Sequence, residues 1–346
     1  MADIHGSLEL QSLSINSYSL ALREKDGVSF VGDRASRTAF VNTLDTWRKQ
    51  FKRMAGGKDP LGDTATQELG KKGIDHLLNE DGDAADIIRV AVEDYAHQLA
   101  HVVQAFLKHR KWRGVERIII GGGFQQSEVG KLAVERTTQL LKQQKVRINL
   151  RRLQHHADEG GLIGWVHLMP DHLLRDFDAM LAVDIGGTNV RCGIVRPNYD
   201  RSQDLRQAKV VEREKWSHAK DQDATHRVHV LDGIVEMLEK LATYAKRKDI
   251  HLAPSIGVSC PGEVLRDGAI AAGTQNLPGD WESPSFHLPS ALREKMPKVH
   301  GAATRVLLHN DAVVQGLSEL PFSSDVKHWG VLTVGTGLGN ASFTNR

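Results

Sequence analysis

The sequence predicts a two-lobed α/β protein. At 346 residues it is longer than one hydrophobic core ordinarily serves, so two lobes or domains are expected. Short apolar runs suited to strands alternate with longer segments of helical period. Three of the strands run into glycine turns, at 121–123, 186–187 and 335–339.

The elements follow in order. Residues 1–80 are the least diagnostic. Within them SLSINSYSLAL suits a strand pair, and RTAFVNTLDTWRKQFKRM suits a helix with Phe40, Leu44, Trp47 and Phe51 on one face. A longer helix is expected after Asp83, a plausible N-cap, with Ile88, Val92, Tyr95, Leu99, Val102 and Phe106 at spacings of four and three. VERIIIGGGF is a buried strand entering three glycines, and Ser127 caps the next helix. VRINLRRLQ is a strand, DEGGLIGWVHLM a glycine-rich helix start, and PDHLLRDFDA a connector. Strands are expected at 180–184, 190–196 and 207–213, the first two forming a hairpin through Gly186 and Gly187. A long helix then carries Val228, Leu231, Val235, Leu238 and Leu241. SIGVSCPGEV is a strand ending at Pro261 and Gly262; RVLLHNDAVVQGLSEL is a strand and then a helix starting near Asp311; WGVLTVGTGLGN is a strand entering the last glycine turn. No internal repeat is visible.

The composition narrows the function classes. A hydrophobic share of 40% and a charged share of 25% are those of a soluble globular protein. The formal net charge of +2 gives no broad reason to expect nucleic acid or an anionic membrane as partner. The densest basic run, KHRKWR at 108–113, is expected on a solvated helix end. Cys192 and Cys260 both fall in expected strands, which favours buried free thiols and a reducing cytosol. There is no bilayer-length apolar run, and MADIHGSLEL has no signal-peptide core, so a cytoplasmic location is expected. No cysteine cluster suits a structural zinc, and the 17 histidines lack ligand spacing with a nearby third ligand.

Glycine turns after strands let a ligand approach the main chain, and successive N–H groups there form nests for phosphate oxygens. Thr188 and Thr336 add hydroxyls to two of them. None is a Walker A loop, because no Gly-Lys-Ser/Thr follows, and the first continues as a strand rather than the helix of a Rossmann fingerprint. Asp184 beside a phosphate would repel it directly. It suits Mg²⁺ held through water, or else only a turn cap. Arg191 in the next strand would supply positive charge. Asp311, between a strand end and a helix, is either an ordinary N-cap or a general base for an attacking hydroxyl. Asn276 and Asn310 are amides suited to sugar hydroxyls, and equally ordinary turn residues.

Taken together, these segments resemble the ROK family (repressors, open reading frames, kinases) of the sugar kinase, Hsp70 and actin superfamily. AVDIGGTNVRCGIV is similar to its first phosphate loop, GVSCPGEV to its small-lobe strand and Pro-Gly turn, and AAGTQNLPGDW to its sugar-contacting Asn loop. LLHNDAVVQGLSE resembles its catalytic Asn-Asp segment and LTVGTGLGNASF its second phosphate loop; VERIIIGGGF resembles its adenosine-side glycines and EGGLIGWVHL its closing helix. The resemblance covers most of 62–346, but in a different order. The family opens on the first phosphate loop and ends on the glycine triplet and closing helix; here those last elements stand at 62–169 and the first phosphate loop follows at 181. The order implies a circular permutation, the old ends joined through MPDHLLRDFDAM and the new ones falling just after the second phosphate loop.

The resemblance implies a two-lobed ribonuclease-H-like fold of the actin and hexokinase type, with an interlobe cleft. Its large lobe would take 1–169 (1–61 unassigned) and 311–346, its small lobe 180–310, with 170–179 as connector. It implies ATP-dependent phosphorylation of a hexose, glucose-like, with Asp311 as base and Asn276, Asn310 and Asp311 on the sugar. Asp184 would position Mg²⁺; Gly186, Gly187, Thr188, Arg191, Gly335, Thr336 and Gly337 would cradle phosphates; Gly122 and Gly123 would approach the adenosine. The expected partners are the sugar and, as often in the family, a second copy. The family's zinc motif and Glu-x-Gly-His contact have no counterpart after the second phosphate loop, so no structural zinc is expected. Asp3 and His5, the nearest stand-ins for that contact, are not expected to replace it. A non-catalytic sugar sensor or transcriptional regulator, and a degenerate kinase, are the alternatives; residues 1–80 show no basic helix-turn-helix to favour the regulator.

Overall fold

The computed structural model describes residues 5–54 and 56–346, so Asp3 lies outside the described residues. The chain runs β1 (Leu13–Tyr18), α1 (Arg37–Met54), α2 (Thr66–Leu78), α3 (Asp83–Lys108), β2 (Arg117–Gly121), α4 (Glu128–Gln143), β3 (Asn149–Arg152), α5 (Ala157–Ile163) and α6 (Asp171–Asp176). It continues through β4 (Ala179–Ile185), β5 (Val190–Arg196), β6 (Lys209–Trp216), α7 (Arg227–Arg247), β7 (Leu252–Cys260), β8 (Glu263–Val264), β9 (Ile270–Ala272) and α8 (Leu288–Lys295). Then come β10 (Lys298–Val299), β11 (Ala302–Ala303), β12 (Arg305–Asn310), α9 (Asp311–Leu317), β13 (His328–Val334) and β14 (Leu338–Asn345).

The expected α/β class is the class found. One five-stranded sheet has the order β12-β7-β4-β5-β6 and the other β1-β14-β13-β2-β3; β8 with β9 and β10 with β11 form two-stranded ribbons. In the first sheet β4, β5 and β6 are successive antiparallel neighbours, and β7 and β12 are added in parallel on the other side of β4. In the second, β2 and β3 are added in parallel beside β13. Reading the second sheet from β13 gives the same spatial order as reading the first from β4: β13, β14, β1, β2 and β3 correspond to β4, β5, β6, β7 and β12.

The chain forms two compact units. One gathers the described residues up to 19 with 154–327 and 343–346; the other gathers 20–153 and 328–342. This division differs from the expected one at 169, 180 and 310. Residues 154–169 and 311–327 stay with the first unit because α5 and the 3-10 turn after it are packed tightly into it. A Cβ on Gly164 would stand 1.7 Å from the Val314 carbonyl oxygen of α9, and one on Gly161 would stand 2.7 Å from Asp184 Cγ.

Within the first unit the main sheet is covered on both faces. Side chains alternate along a strand, so Leu181, Val183 and Ile185 join Val190, Cys192 and Ile194 in a core with Val230, Leu231, Leu238 and Leu241 of α7 and Leu292 of α8. The opposite face carries Ala182, Asp184, Arg191, Gly193, Gly257 and Ser259, and takes α5 and the turn behind it. Trp165 lies on Gly257, where a Cβ would come within 2.2 Å of its ring, and donates its indole N–H to Ser259 Oγ at 2.9 Å. Val228, expected on the buried face of α7, is 52% exposed, and Val230 takes that place.

Within the second unit, Phe40, Tyr95 and Phe124 form an aromatic cluster with centroids 5.0–5.7 Å apart, between α1, α3 and the turn after β2. Ile88, Val92, Tyr95, Leu99, Val102 and Phe106 are all buried, as the spacing along α3 predicts. Gly82, with φ 122°, is the N-cap of α3, and Asp83 is instead its first helical residue, where its charge suits the positive helix end. Ser127 caps α4 by accepting from Gly130 N–H. The expected strand pair at 12–22 is one strand, β1, which ends where Ser19 turns to a left-handed φ of 48°. In the basic run Lys108, Arg110, Lys111 and Arg113 are exposed, while Trp112 is buried against Gly330. Both cysteines are free and buried. Among the described residues no helix is long and apolar enough to cross a membrane.

Candidate active site

In the first unit the carboxyl ends of β4, β7 and β12 bring together most of the sugar and acid candidates. β12 ends at Asn310, which caps α9: its Oδ1 accepts from Val313 N–H at 3.2 Å. Asp311 is therefore the first helical residue rather than the cap. Its Oδ1 accepts locally from Ala312 N–H at 2.8 Å. Asp311 retains some exposed surface, yet protein surrounds its carboxyl closely. Burial, with the Asp184 charge adding to it, pushes that carboxyl up to about 7.

Asp184 is 8% exposed at the end of β4, with its carboxylate in the space that Gly161 leaves open. Burial raises its pKa, and Asp158 adds to this, while Arg191 opposes both. Arg191 lies between two acids: Nε donates to Asp158 Oδ1 at 2.5 Å and Nη1 to Asp184 Oδ2 at 3.1 Å. Lys215 Nζ also reaches Asp158, at 2.8 Å. Burial would by itself raise the Asp158 carboxyl, but Arg191 and Lys215 outweigh it and hold it well below the usual range. The guanidinium expected to meet a phosphate is thus already paired on both sides.

The turn between β4 and β5 is closed by Gly186 N–H donating to the Asn189 carbonyl at 2.9 Å, and Gly186 O meets His218 Nε2 at 2.8 Å. The exposed Asn276 lies directly on this turn, since a Cβ on Gly187 would be 2.9 Å from its Cβ. The first phosphate-type turn and the Asn loop therefore meet. Asn310 does not present a free amide: its Nδ2 donates to the Gly262 carbonyl at 2.9 Å and to Ser19 Oγ at 3.0 Å. His5 Nδ1 accepts from Leu308 N–H at 3.0 Å, which spends it on the edge of β12.

The second unit brings its own candidates together. Gly335, Thr336 and Gly337 link β13 to β14, with Gly335 N–H donating to the Gly337 carbonyl at 2.9 Å. A Cβ on Gly335 would make ordinary contact with the Gly337 carbonyl oxygen, at 3.7 Å. The start of α1 latches this turn: Arg37 N–H donates to Gly335 O at 2.9 Å and Thr38 Oγ1 to Thr336 O at 3.3 Å. Gly122, with φ 80°, abuts Val334 so closely that a Cβ would stand 2.3 Å from its carbonyl oxygen. That packing alone demands a glycine, and it sets the β2 turn at the base of the 335–337 turn. Gly123 O accepts from Lys71 Nζ at 2.6 Å.

Asp158, Ser19, Thr38 and Lys71 are neighbours of these groups that the sequence does not disclose. Only Asp158 carries a signal, an acid two residues before a glycine pair inside a helix start.

Among the described residues no group of three or more His, Cys, Asp or Glu side chains is placed to hold a metal ion. Mg²⁺ needs less, since it keeps several waters and takes one or two carboxylates with substrate phosphates. Asp184 fits that demand: it is a hard oxygen donor whose charge Arg191 only partly offsets, so a cation would relieve it.

No protein-family model matches the chain. A glucokinase of Thermotoga maritima is 29% identical over 168 residues, 48% of this chain and 44% of the glucokinase. The chain thus spans less than half the length of that relative. Among solved structures, a protein of Cytophaga hutchinsonii assigned as a sugar kinase has a TM-score of 0.35 at 20% identity, covering 48% of each chain. A Listeria monocytogenes protein assigned as an N-acetylmannosamine kinase has a TM-score of 0.33 at 22% identity, covering 48% of this chain and 47% of that one. An exopolyphosphatase of Cytophaga hutchinsonii has a TM-score of 0.24 at 15% identity, covering 56% and 55%. At these TM-scores the likeness defines neither fold nor activity.

Proposed function

We propose that the chain is an ATP-dependent sugar kinase that phosphorylates a hexose hydroxyl, with Asp311 as general base. The observation that carries this reading is the Asp311 carboxyl: Asn310 relieves it of capping, and burial raises it to about 7. A base works best with a pKa near the operating pH. It would take the proton of the attacking hydroxyl as the oxygen bonds to the terminal phosphorus of ATP and ADP leaves. Such transfers depend mainly on positioning and charge stabilisation.

The other roles follow from the same reading. Asn276 contacts the sugar, and Asn310 acts through Asp311. Gly187 and Thr188 in the first unit stand toward phosphate, on the turn that Gly186 closes through its own N–H; Thr336 and Gly337 in the second do the same on the turn that Gly335 closes. Gly123 approaches the nucleoside, and Gly122 shapes the turn that carries it. Asp184 would hold Mg²⁺ through water, and the ion would offset phosphate charge. Arg191 acts on Asp184 rather than directly on phosphate.

The partial glucokinase match supports the sugar-kinase class. The matching strand order of the two sheets supports a circular permutation of the family's chain order. Two buried thiols suit a reducing cytoplasm.

The experiment is ADP release from ATP and Mg²⁺ across hexoses and amino sugars, with Asp311→Asn alongside. Sugar-dependent turnover that the variant loses is the expected result. Sugar or nucleotide binding without turnover would replace this reading with the sensor or the degenerate kinase.

A further inference from the structure

Asn310 is 1% exposed, and its side-chain amide is held from two directions. One contact is the Gly262 carbonyl, in the turn after β7; the other is Ser19 Oγ, at the end of β1 and 291 positions away in the chain. Ser19 Oγ also lies 3.3 Å from Gly262 O and donates to it, which closes a triangle of three groups. The neighbouring Tyr18 fixes the same strand end: its hydroxyl donates to Val264 O at 2.9 Å and its ring stands edge-on to His309 at 5.7 Å. Ser19 adopts φ 48°, a conformation that costs an ordinary L residue free energy. A serine held there brings its hydroxyl to the residue that caps α9 and precedes Asp311.

We propose that Ser19 is a positioning residue for Asp311, its hydroxyl orienting the Asn310 amide from which α9 and its first carboxylate are hung. The catalytic meaning of that role rests on the sugar-kinase reading above. Without the hydroxyl, one buried amide hydrogen of Asn310 loses its acceptor, and buried polar groups left unpaired are costly. The amide then rests on the Gly262 carbonyl and Val313 N–H with one constraint fewer, and the Asp311 carboxylate shifts with the loosened cap.

The test uses Ser19→Ala and Ser19→Gly in the full chain. Both remove the hydroxyl, but only glycine relieves the left-handed backbone, so a purely conformational role separates the two. The first readout is the nitrogen-15 spectrum: the Asn310 side-chain amide, identified by its loss in Asn310→Ser, and the backbone amides of Asp311 and Ala312. The second is kcat and KM for sugar and nucleotide. Both variants are expected to shift those resonances and to lower kcat about tenfold, with the nucleotide KM unchanged. Unmoved resonances in both variants would overturn the proposal, and so would wild-type kcat in Ser19→Gly beside a loss in Ser19→Ala. If the wild-type chain phosphorylates no sugar, the kinase reading fails on its own, and the resonances still decide whether Ser19 orients Asn310 and Asp311.

Discussion

Gly161→Ala tests the packing that places Asp184. The added Cβ would stand 2.7 Å from Asp184 Cγ, 2.8 Å from Oδ1 and 3.1 Å from Oδ2, where ordinary contact begins at 3.4 Å. The carboxylate would therefore have to retreat by about 0.7 Å. It has little room to do so: Asp184 is 8% exposed, and its Oδ2 accepts from Arg191 at 3.1 Å. Alanine in a helix interior is favoured over glycine by about 1 kcal/mol. Overpacking costs roughly 1–3 kcal/mol, and breaking a buried ion pair roughly 3–5 kcal/mol. With the ion pair strained but kept, the net effect is a destabilisation of about 2 kcal/mol. For units of this size that lowers Tm by about 4–8 °C. The assay is thermal unfolding followed by circular dichroism, with Gly73→Ala of α2 as control. There the new Cβ meets Leu69 Cβ at 3.3 Å, just inside the 3.4 Å of ordinary contact, so the control is expected to change Tm far less than Gly161→Ala. A Gly161→Ala protein melting at or above the wild type would refute the packing argument.

Asp311→Asn is expected to lower kcat by about 10²–10⁴-fold, and the wild-type rate, measured across pH 5–9, to rise through about pH 7 as the carboxyl ionises. Glu319 is 3% exposed, and burial raises its carboxyl to about 7 although it accepts from Gln154 N–H at 2.8 Å. A raised acid stabilises the fold below its unfolded pKa and loses that contribution as pH rises through the folded value. Glu319→Gln, which can still accept from Gln154, is therefore expected to match the wild type near pH 4 and exceed it by up to about 3 kcal/mol at pH 8.5 in urea unfolding; equal stability at both pH values would refute this. Asp158 has the opposite sign: its depressed pKa gives stability that is present near neutrality and lost as pH falls below about 4. Asp158→Asn is expected to cost about 1–3 kcal/mol at pH 7, with the deficit narrowing in acid; a deficit independent of pH would show that charge is not its cause.

Local chemistry was legible in the sequence. Glycine turns, the Ser127 cap and the apolar spacing of α3 each depend on residues within a turn or two of one another. The role of Asn310 was less so. Its type suited a ligand contact, but its amide hydrogens go to Gly262 and to Ser19, 48 and 291 positions away, which no local pattern encodes. The double pairing of Arg191 likewise required α5 to be placed against β5. The shared strand order of the two sheets left no visible repeat, because backbone pairing asks only for apolar residues of strand period and not for particular side chains. The packing of α5 was hidden for a related reason: it rests on the bare surface of Gly161 against Asp184 and, just after the helix, of Gly164 against Val314, contacts that no local pattern announces.

The strand order of the second sheet also sets a timetable for biosynthesis. β2 takes its parallel partner from β13, and Glu116 receives its contact from His328, 212 positions downstream. At about 5–20 residues per second, a ribosome delivers that partner roughly 10–40 s after β2 has emerged. Strands β4 to β12 meet sooner, within one contiguous stretch of 179–310. During the interval the apolar faces of α1, α3 and α4 have no completed sheet to cover. The expected outcome is that the yield of such a chain on expression depends on holding chaperones more than that of a protein whose neighbouring strands are translated in succession.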